Sequence, residues 1–142
     1  MAKKRSLNDD DYRRLLEFRA GVRQFLKWSE SEAAKQGLTP TQHQLLLAVR
    51  GHDHHRGPTI SDVADCLLLR HHSAVELVDR AETASLVRRV PDPDDRRLVR
   101  LALTPMGARK LEAITIRALE QLDRISPRLR GIWKAFEPSR EG

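Results

Sequence analysis

The sequence predicts a mainly α-helical fold with one small β-hairpin, and two observations carry this prediction. Apolar residues recur every three or four positions along most of the chain, which is the period of an amphipathic helix. One stretch, residues 86–103, instead joins two short β-prone runs through a turn rich in proline and aspartate. The chain has 142 residues, which fits a single domain, since domains usually hold about 100–200 residues.

Composition and charge narrow the class of protein. The chain has 26 Lys and Arg against 20 Asp and Glu, a net charge of +6, which favours an anionic partner such as nucleic acid or a membrane surface. No apolar run approaches the ~20 residues of a membrane helix, and the basic start lacks the apolar segment of a secretory signal. Cys66 is the single cysteine, so an internal disulfide is excluded and a reducing compartment is favoured. We therefore expect a cytoplasmic protein without a membrane segment, metal or cofactor.

The two ends of the chain predict long helices. Asp9 or Asp10 is the expected cap of a first helix over about 10–36, which Gly37 ends. Thr104-Pro105 begins a second long helix, which Ser126-Pro127 breaks or restarts before a last short amphipathic helix. The largest apolar residues lie at these ends, because residues 29–132 contain no aromatic side chain. The apolar stripes comprise Leu15, Phe18, Val22 and Phe25 at the start, Leu111, Ile114, Ala118, Leu122 and Ile125 in the long helix, and Leu129, Ile132, Trp133 and Phe136 at the end.

The centre of the chain predicts shorter elements. Thr39-Pro40 begins a helix that runs to about Arg50, and a Gly/Pro-bounded loop follows over 51–58. Thr59 or Ser61 caps a short helix, and a tight turn over 68–70 leads into a further helix over about 71–84. The β-hairpin of residues 86–103 comes directly afterwards. A helix-turn-helix followed by a basic hairpin is a winged helix.

The sequence at this point resembles the MarR (multiple antibiotic resistance regulator) family of transcription factors over roughly residues 10–125. The matching segments follow the family's order: Leu38-Thr-Pro-Thr-Gln42, Ile60-Ser-Asp-Val-Ala64, Val78-Asp-Arg-Ala-Glu82, Leu86-Val-Arg-Arg89, Asp92-Pro-Asp-Asp-Arg-Arg97 and Leu103-Thr-Pro-Met-Gly107. Two positions depart from the pattern: Ser85 stands where the family often has Gly, and Ala81 where a larger apolar residue is common.

The resemblance implies a single domain over 1–142 that forms a homodimer. Helices over about 10–36 and 105–137 would interlock with those of the partner, and a winged helix-turn-helix lobe over about 38–104 would bind double-stranded DNA. An interface of this kind would bury the terminal aromatic residues, although these rings would also be explained by packing within one protomer. Two lobes at a fixed distance imply a pseudo-palindromic operator with half-sites about one helical turn apart.

The resemblance also implies which residues contact DNA. The helix from His71 would enter the major groove, and the wing would reach the minor groove. The wing carries Arg88, Arg89, Arg96, Arg97 and Arg100, and Asp95 would position Arg97 without facing DNA. The predicted contact residues are Arg70, His71, His72, Ser73, Glu76, Arg88, Arg96 and Arg97. The alternative for each residue is a solvated surface side chain, or, for Arg97, an ion pair with Asp94 or Asp95.

Family members usually respond to small anionic aromatic effectors, which implies repression that such a ligand relieves. The pocket expected from position would be lined by Phe25, Trp28, His43, Leu46, Leu47 and Arg109. Redox sensing and metal sensing are the two alternatives to such an effector. Cys66 would serve redox sensing, but at its position it is more often a small core residue. The cluster His52–His55 would serve metal sensing, but a polar loop explains it as well.

An enzyme is not expected, because the sequence has no Gly-rich phosphate loop and no Gly-x-Ser-x-Gly motif, and nothing in it indicates a group that activates Cys66. A winged helix that binds a protein partner is the remaining alternative, since a fold does not determine function. The basic helix start and the wing arginines favour DNA.

Overall fold

The computed structural model describes the backbone of residues 6–136, and the side chains of residues 6–125 and 131. Between these limits the chain is mainly helical with one two-stranded antiparallel hairpin, which confirms the predicted fold class. The elements are α1 (Asp9–Lys35), α2 (Pro40–Gly51), α3 (Ile60–Leu67), α4 (His71–Thr83), β1 (Val87–Pro91), β2 (Val99–Leu103) and α5 (Pro105–Phe136).

Helix α1 begins one residue earlier than the sequence predicts. Asn8 is the N-cap: its side chain accepts a hydrogen bond from the Asp11 N–H at 3.0 Å, and Asp11 accepts one from the Asn8 N–H at 3.1 Å. The prediction that Asp9 or Asp10 caps the helix is therefore wrong. Both aspartates lie in the first turn, where negative charge is favoured by the helix dipole. A reciprocal pair satisfies two free N–H groups, which a single aspartate cap would not do.

Helices α2 and α3 begin with the same reciprocal arrangement. Thr39 and Gln42 form the capping box of α2, with Pro40 in its first turn. Thr59 and Asp62 form that of α3, so Thr59 rather than Ser61 is the cap. These boxes fix where α2 and α3 start.

A single apolar core joins α2, α3, α4, the hairpin and the ends of α1 and α5 that face them. Its central side chains are fully buried and aliphatic, and no Phe, Tyr or Trp is among the buried residues of the described part. The core residues are Ala33, Leu38, Leu45, Leu46, Val49, Val63, Leu77, Val78, Ala81, Leu86, Val87, Leu101, Leu111 and Ile114. This core presents the hairpin and the outer face of α4 on one side of the lobe.

The hairpin is extended on one side by the loop that precedes α3. In the hairpin, Val87 pairs with Leu103 and Pro91 with Val99. On the other edge of β2, the Leu101 N–H donates to the Pro58 carbonyl at 2.8 Å. Gly57 is required beside this contact, because its φ is +88° and a Cβ there would lie 2.3 Å from the Leu101 carbonyl oxygen. The loop and the wing are thus held together by backbone contacts.

Helices α1 and α5 pack on each other through a buried carboxylate. Glu32 on α1 is buried and pairs with Arg117 on α5 at 2.8 Å and with Lys35 at 2.8 Å. Helix α5 runs without a break through Ser126-Pro127, so the predicted break is wrong. A proline inside a helix removes one backbone hydrogen bond, and the 32-residue helix continues across it. The side chains of Leu129, Ile132, Trp133 and Phe136 lie outside the described residues.

Candidate nucleic-acid interface

The start of α4 presents a basic, solvent-facing cluster. Arg70 is the N-cap residue without a side-chain capping bond, and Arg70, His71 and His72 are all exposed. Ser73 is half-buried, whereas Glu76 is exposed one turn further on. The opposite face of α4 is fixed in the core, because its inner residues are fully or nearly fully buried. These inner residues are Ala74, Leu77, Val78 and Ala81. Packing therefore leaves the predicted contact residues free at one end of a rigid helix.

The turn that leads into α4 is strained and apolar. Leu68 has a left-handed backbone, with φ +55° and ψ +43°, and 92% of its surface is exposed. The Leu69 N–H donates to the Ala64 carbonyl at 2.9 Å, which closes the end of α3. This sharp reversal sets the angle between α3 and α4. The sequence predicted a turn at 68–70 but not which residue adopts the left-handed conformation.

Three of the five wing arginines are exposed: Arg88, Arg96 and Arg97. Asp95 Oδ1 accepts hydrogen bonds from the Arg97 backbone N–H at 3.0 Å and from its Nε at 3.2 Å. These bonds to Arg97 lower the pKa of Asp95. The Arg97 guanidinium is 89% exposed despite this contact. Asp95 therefore orients an arginine that still faces solvent, and its part in DNA binding remains a prediction.

The other two wing arginines hold the lobe together. Arg89 pairs with Asp79 at 2.6 Å and with Glu82 at 2.7 Å, and the hydrogen bond to Asp79 raises the pKa of Arg89. It thereby ties β1 to α4. Arg100 is buried and donates from Nε to Asp92 Oδ2 at 2.5 Å. These two arginines were not among the predicted DNA contacts, and acidic side chains of the lobe bind both of them.

Sequence reasoning missed Asp92, which organises the turn between the strands. Its carboxylate is buried, and it accepts hydrogen bonds from Arg100 Nε and from the backbone N–H groups of Asp94 at 2.8 Å and Asp95 at 3.1 Å. The bond from Arg100 contributes most, followed by that from Asp94, and together they lower the pKa of Asp92 to about 2. An aspartate two and three residues before free N–H groups is a recognisable turn signal, but its pairing with Arg100 requires the strand register.

A second site, an apolar cleft of about 400 Å³, lies between α1, α2 and α5. Phe25, His43 and Leu47 line it, as the sequence predicted. Burial lowers the pKa of His43, whose Nδ1 lies 3.5 Å from Ser29 Oγ, so a neutral imidazole is favoured there. The remaining wall is mostly apolar and includes Leu26, Pro40, Ala118, Leu119 and Leu122.

Three residues that the sequence assigned to this cleft do not line it. Leu46 is fully buried in the core, because the adjacent position, Leu47, is the one that faces the cleft. Arg109 is exposed on α5, two turns away from the α5 residues that form the wall. Trp28 stacks on Phe25 with ring centroids 6.0 Å apart, so it contacts a lining residue but is not part of the lining itself. The cleft is consequently less basic than predicted.

The structure also places the two alternative sensing sites, Cys66 and the loop 52–55. Cys66 is exposed on the outer face of α3, so its interpretation as a core residue is wrong. Histidines in the 52–55 loop bind the backbone: His52 Nδ1 accepts from the His54 N–H, and His54 Nδ1 accepts from the Arg56 N–H, both at 3.1 Å. Within the part of the chain that the structure describes, no group of His, Cys, Asp or Glu has a metal-binding arrangement. In the same part, no helix is both long and apolar enough to cross a membrane.

Comparison with known proteins matches this arrangement to one family. The family model for the MarR family matches residues 36–98, which comprise most of the lobe with α4 and the wing. Over residues 36–98, the chain is similar to the MarR family. Two curated relatives from Bacillus subtilis strain 168 also match part of the chain, and both are HTH-type transcriptional regulators. One, an uncharacterized HTH-type transcriptional regulator, YsmB, is 36% identical over 64 residues, which cover 45% of this chain and 44% of YsmB.

The other relative, the HTH-type transcriptional repressor MdtR, is 30% identical over 80 residues, which cover 56% of this chain and 50% of MdtR. The chain thus spans about half the length of the curated relatives it matches. The MarR fold extends further. The crystal structure of the S. aureus MepR–DNA complex superposes with a TM-score of 0.63 at 19% identity, and the match covers 84% of this chain and 94% of that chain.

Proposed function

We propose that this chain is a transcriptional regulator that binds double-stranded DNA sequence-specifically as a homodimer. The observation that carries the proposal is the start of α4: Arg70, His71 and His72 are exposed at the end of a helix whose other face is locked in the core. A helix presented in this way fits the major groove, where arginine and histidine donate to guanine and to phosphate. MdtR, a relative over the same lobe, is a repressor, and the MepR structure contains DNA, which supports repression through DNA binding.

The wing would add contacts beside this helix. Arg88, Arg96 and Arg97 are exposed, and Arg97 would enter the minor groove with its orientation set by Asp95. Ser73 and Glu76 lie further along the outer face of α4 and would read base edges. Arg89 and Arg100 are excluded from this contact set because Asp79, Glu82 and Asp92 bind them.

A homodimer is supported by apolar side chains that one protomer leaves uncovered. They lie on the two terminal helices and just before α1, where the family resemblance places the interface. These exposed residues are Leu7, Tyr12, Leu15, Leu16, Val22 and Leu26 in or before α1, and Ile116 and Leu119 on α5. Scattered exposed leucines are common, but eight of the eleven exposed large apolar side chains in the described part lie on or just before α1 or on α5, which indicates an interface.

The cleft between α1, α2 and α5 is the proposed effector site. It opens between the terminal helices and the lobe, so a ligand that prefers one angle between them would shift the distance between the two α4 helices of a dimer. Its lining favours an aromatic or aliphatic ligand body, and a neutral His43 is one of its hydrogen-bonding groups, beside Ser29, Glu30, Gln44 and Thr115. Because Arg109 lies elsewhere, the cleft offers less binding energy for an anionic group than the family resemblance implies.

The experiment is fluorescence anisotropy with DNA from upstream of the protein's own coding region, against a scrambled duplex, over a salt series. The proposal predicts tighter binding to one duplex than to its scrambled form, two chains per site, and a slope of log K against log salt of about −0.9 for each phosphate contacted. Equal binding to that DNA, to other genomic promoter fragments and to their scrambled forms would contradict sequence-specific regulation.

A further inference from the structure

The turn at the tip of the wing has the wrong charge for DNA when it is considered alone. Residues 92–97 contain three aspartates and two arginines, so the turn carries a net negative charge. Asp94 is the most exposed of these carboxylates, with 82% of its side chain accessible. A negative turn placed against a phosphate backbone would be repelled, and the repulsion would grow as salt is lowered. Positive charge from elsewhere in the lobe is therefore needed at the wing.

Arg56 supplies such a charge from the loop between α2 and α3. Its Nη1 lies 2.7 Å from Asp94 Oδ2 and 3.6 Å from Asp92 Oδ1, although Arg56 and Asp94 are 38 positions apart in sequence. The guanidinium thus spans the base and the tip of the turn. Together, Arg56 and Arg100 add two positive charges to residues 92–97 and change the net sign from negative to positive.

The loop that carries Arg56 is anchored on both sides of this residue. The Arg56 N–H donates to His54 Nδ1 at 3.1 Å, and the carbonyl of Gly57 accepts from Arg100 Nη1 at 2.9 Å. The next residue, Pro58, accepts the Leu101 N–H at 2.8 Å. These bonds fix the backbone of Arg56 relative to strand β2. An arginine on a fixed backbone holds its partner more firmly than a long side chain on a free loop would.

We propose that Arg56 is a positioning residue for DNA binding, which neutralises Asp94 and holds it away from the duplex. Arg56 acts through Asp94 rather than through its own contact with DNA. The proposal rests on the function proposed above and assigns the loop 52–57 to the support of the wing. It also explains why an aspartate is tolerated next to the arginines that would enter the minor groove.

The test is a mutant cycle on the affinity for a duplex that the wild-type protein has selected from a random library. The variants are Arg56→Gln, Asp94→Asn and the double variant, and Arg50→Gln is the matched control, since Arg50 is an exposed arginine at the end of α2. Arg56→Gln is expected to weaken binding by about three- to tenfold, and Arg50→Gln by less than about twofold. In the double variant, affinity should return to within about twofold of that of Asp94→Asn, because the repelling carboxylate is gone.

Rescue separates this role from a merely structural one, because removing a second side chain would not restore a collapsed loop. Thermal unfolding of each variant is measured alongside, and the rescue should appear in affinity even if the unfolding temperature stays lowered. Two results overturn the proposal: Arg56→Gln matches Arg50→Gln, or the double variant binds as weakly as Arg56→Gln. If the wild type selects no duplex, the proposed function fails as well, so the two failures are distinguishable.

Discussion

Arg100 and Asp92 form a buried ion pair at the base of the wing, with Arg100 Nε 2.5 Å from Asp92 Oδ2. Arg100 also donates to the Gly57 carbonyl, so one guanidinium joins the wing turn, strand β2 and the loop before α3. Removing either partner of a buried pair leaves the other charge desolvated without compensation, which usually costs more than the pair itself contributes. The shape of the wing therefore depends on two residues that would not touch DNA.

The pH dependence of unfolding should reveal this pair. The pKa of Asp92 is lowered to about 2 in the folded protein, so its stabilising effect is complete above the ordinary value of 3.8 and is lost as the pH falls from about 4 to about 2. The measurement is the free energy of unfolding from urea titrations at several pH values. Wild type should lose stability over that window more steeply than Asp92→Asn, which should already be less stable at pH 7. If the free energy of unfolding depends on pH in the same way in both proteins, the pair does not contribute to stability over this window.

Backbone strain gives a prediction at both ends of α4. Leu68 and Ser85 have φ values of +55° and +60°, in the left-handed region that favours glycine. Left-handed backbone costs a residue with a Cβ about 1–2 kcal/mol, whereas glycine costs about 0.5–1 kcal/mol in chain entropy. Leu68→Gly and Ser85→Gly should each raise the free energy of unfolding by about 0.5–1 kcal/mol. Ala84→Gly is the control, since Ala84 has φ −78°, and it should lower stability. A loss of stability in all three variants would refute the argument.

The exposed face of α1 should determine the oligomeric state. Leu16 is 65% exposed in one protomer and lies among the apolar residues assigned to the dimer interface. A buried unpaired charge is unfavourable, so Leu16→Glu should convert the dimer to a monomer at micromolar concentration. Sedimentation equilibrium measures the mass directly. Leu68→Glu, on a leucine that is 92% exposed and lies outside this face, should remain dimeric, and a dimeric Leu16→Glu protein would place the interface elsewhere.

Exposed wing arginines and those bound by acidic side chains of the lobe should differ in their effects on DNA affinity and stability. Arg97→Ala should reduce DNA affinity by about tenfold and leave the unfolding temperature nearly unchanged, because its guanidinium is 89% exposed. Arg89→Ala should lower the unfolding temperature, because it removes the link between β1 and the carboxylates of Asp79 and Glu82. Anisotropy and thermal unfolding of both proteins provide the comparison. If Arg97→Ala binds DNA as wild type does, the wing does not contact the duplex through this residue.

Local signals in the sequence were sufficient for most of the fold. Thr39 with Pro40, and Thr59 ahead of a short apolar stripe, predicted the starts of α2 and α3 because a capping box involves residues only three positions apart. Gly37 predicted the end of α1 for a similar reason: it adopts φ +72° directly after the helix. Such features depend on neighbouring residues and can therefore be identified without tertiary structure.

What the sequence did not predict concerns mainly residues whose partners are distant in sequence. In the sequence, Arg89 and Arg100 are wing arginines like Arg97. Only the strand register and the packing of α4 show that acidic side chains of the lobe bind the first two. Arg56 is separated from Asp94 by 38 positions, so no local pattern joins them. Both Leu46 and Leu47 were assigned to the cleft, but only Leu47 lines it, because neighbouring residues on a helix point in directions about 100° apart. Charge and turn chemistry thus identify candidate residues, but their division into support and contact requires the fold.

Selection of binding sites from a random duplex library by the wild-type protein tests the central claim most directly. If two α4 helices of a dimer read adjacent major grooves, the enriched sequences should share a pseudo-palindrome whose half-sites lie about one helical turn apart. Repeating the selection with Arg70→Ala should change the preferred base at one position in each half-site while keeping the spacing. Enrichment of no common sequence, or of a single site without symmetry, would contradict a dimeric regulator that reads DNA through α4.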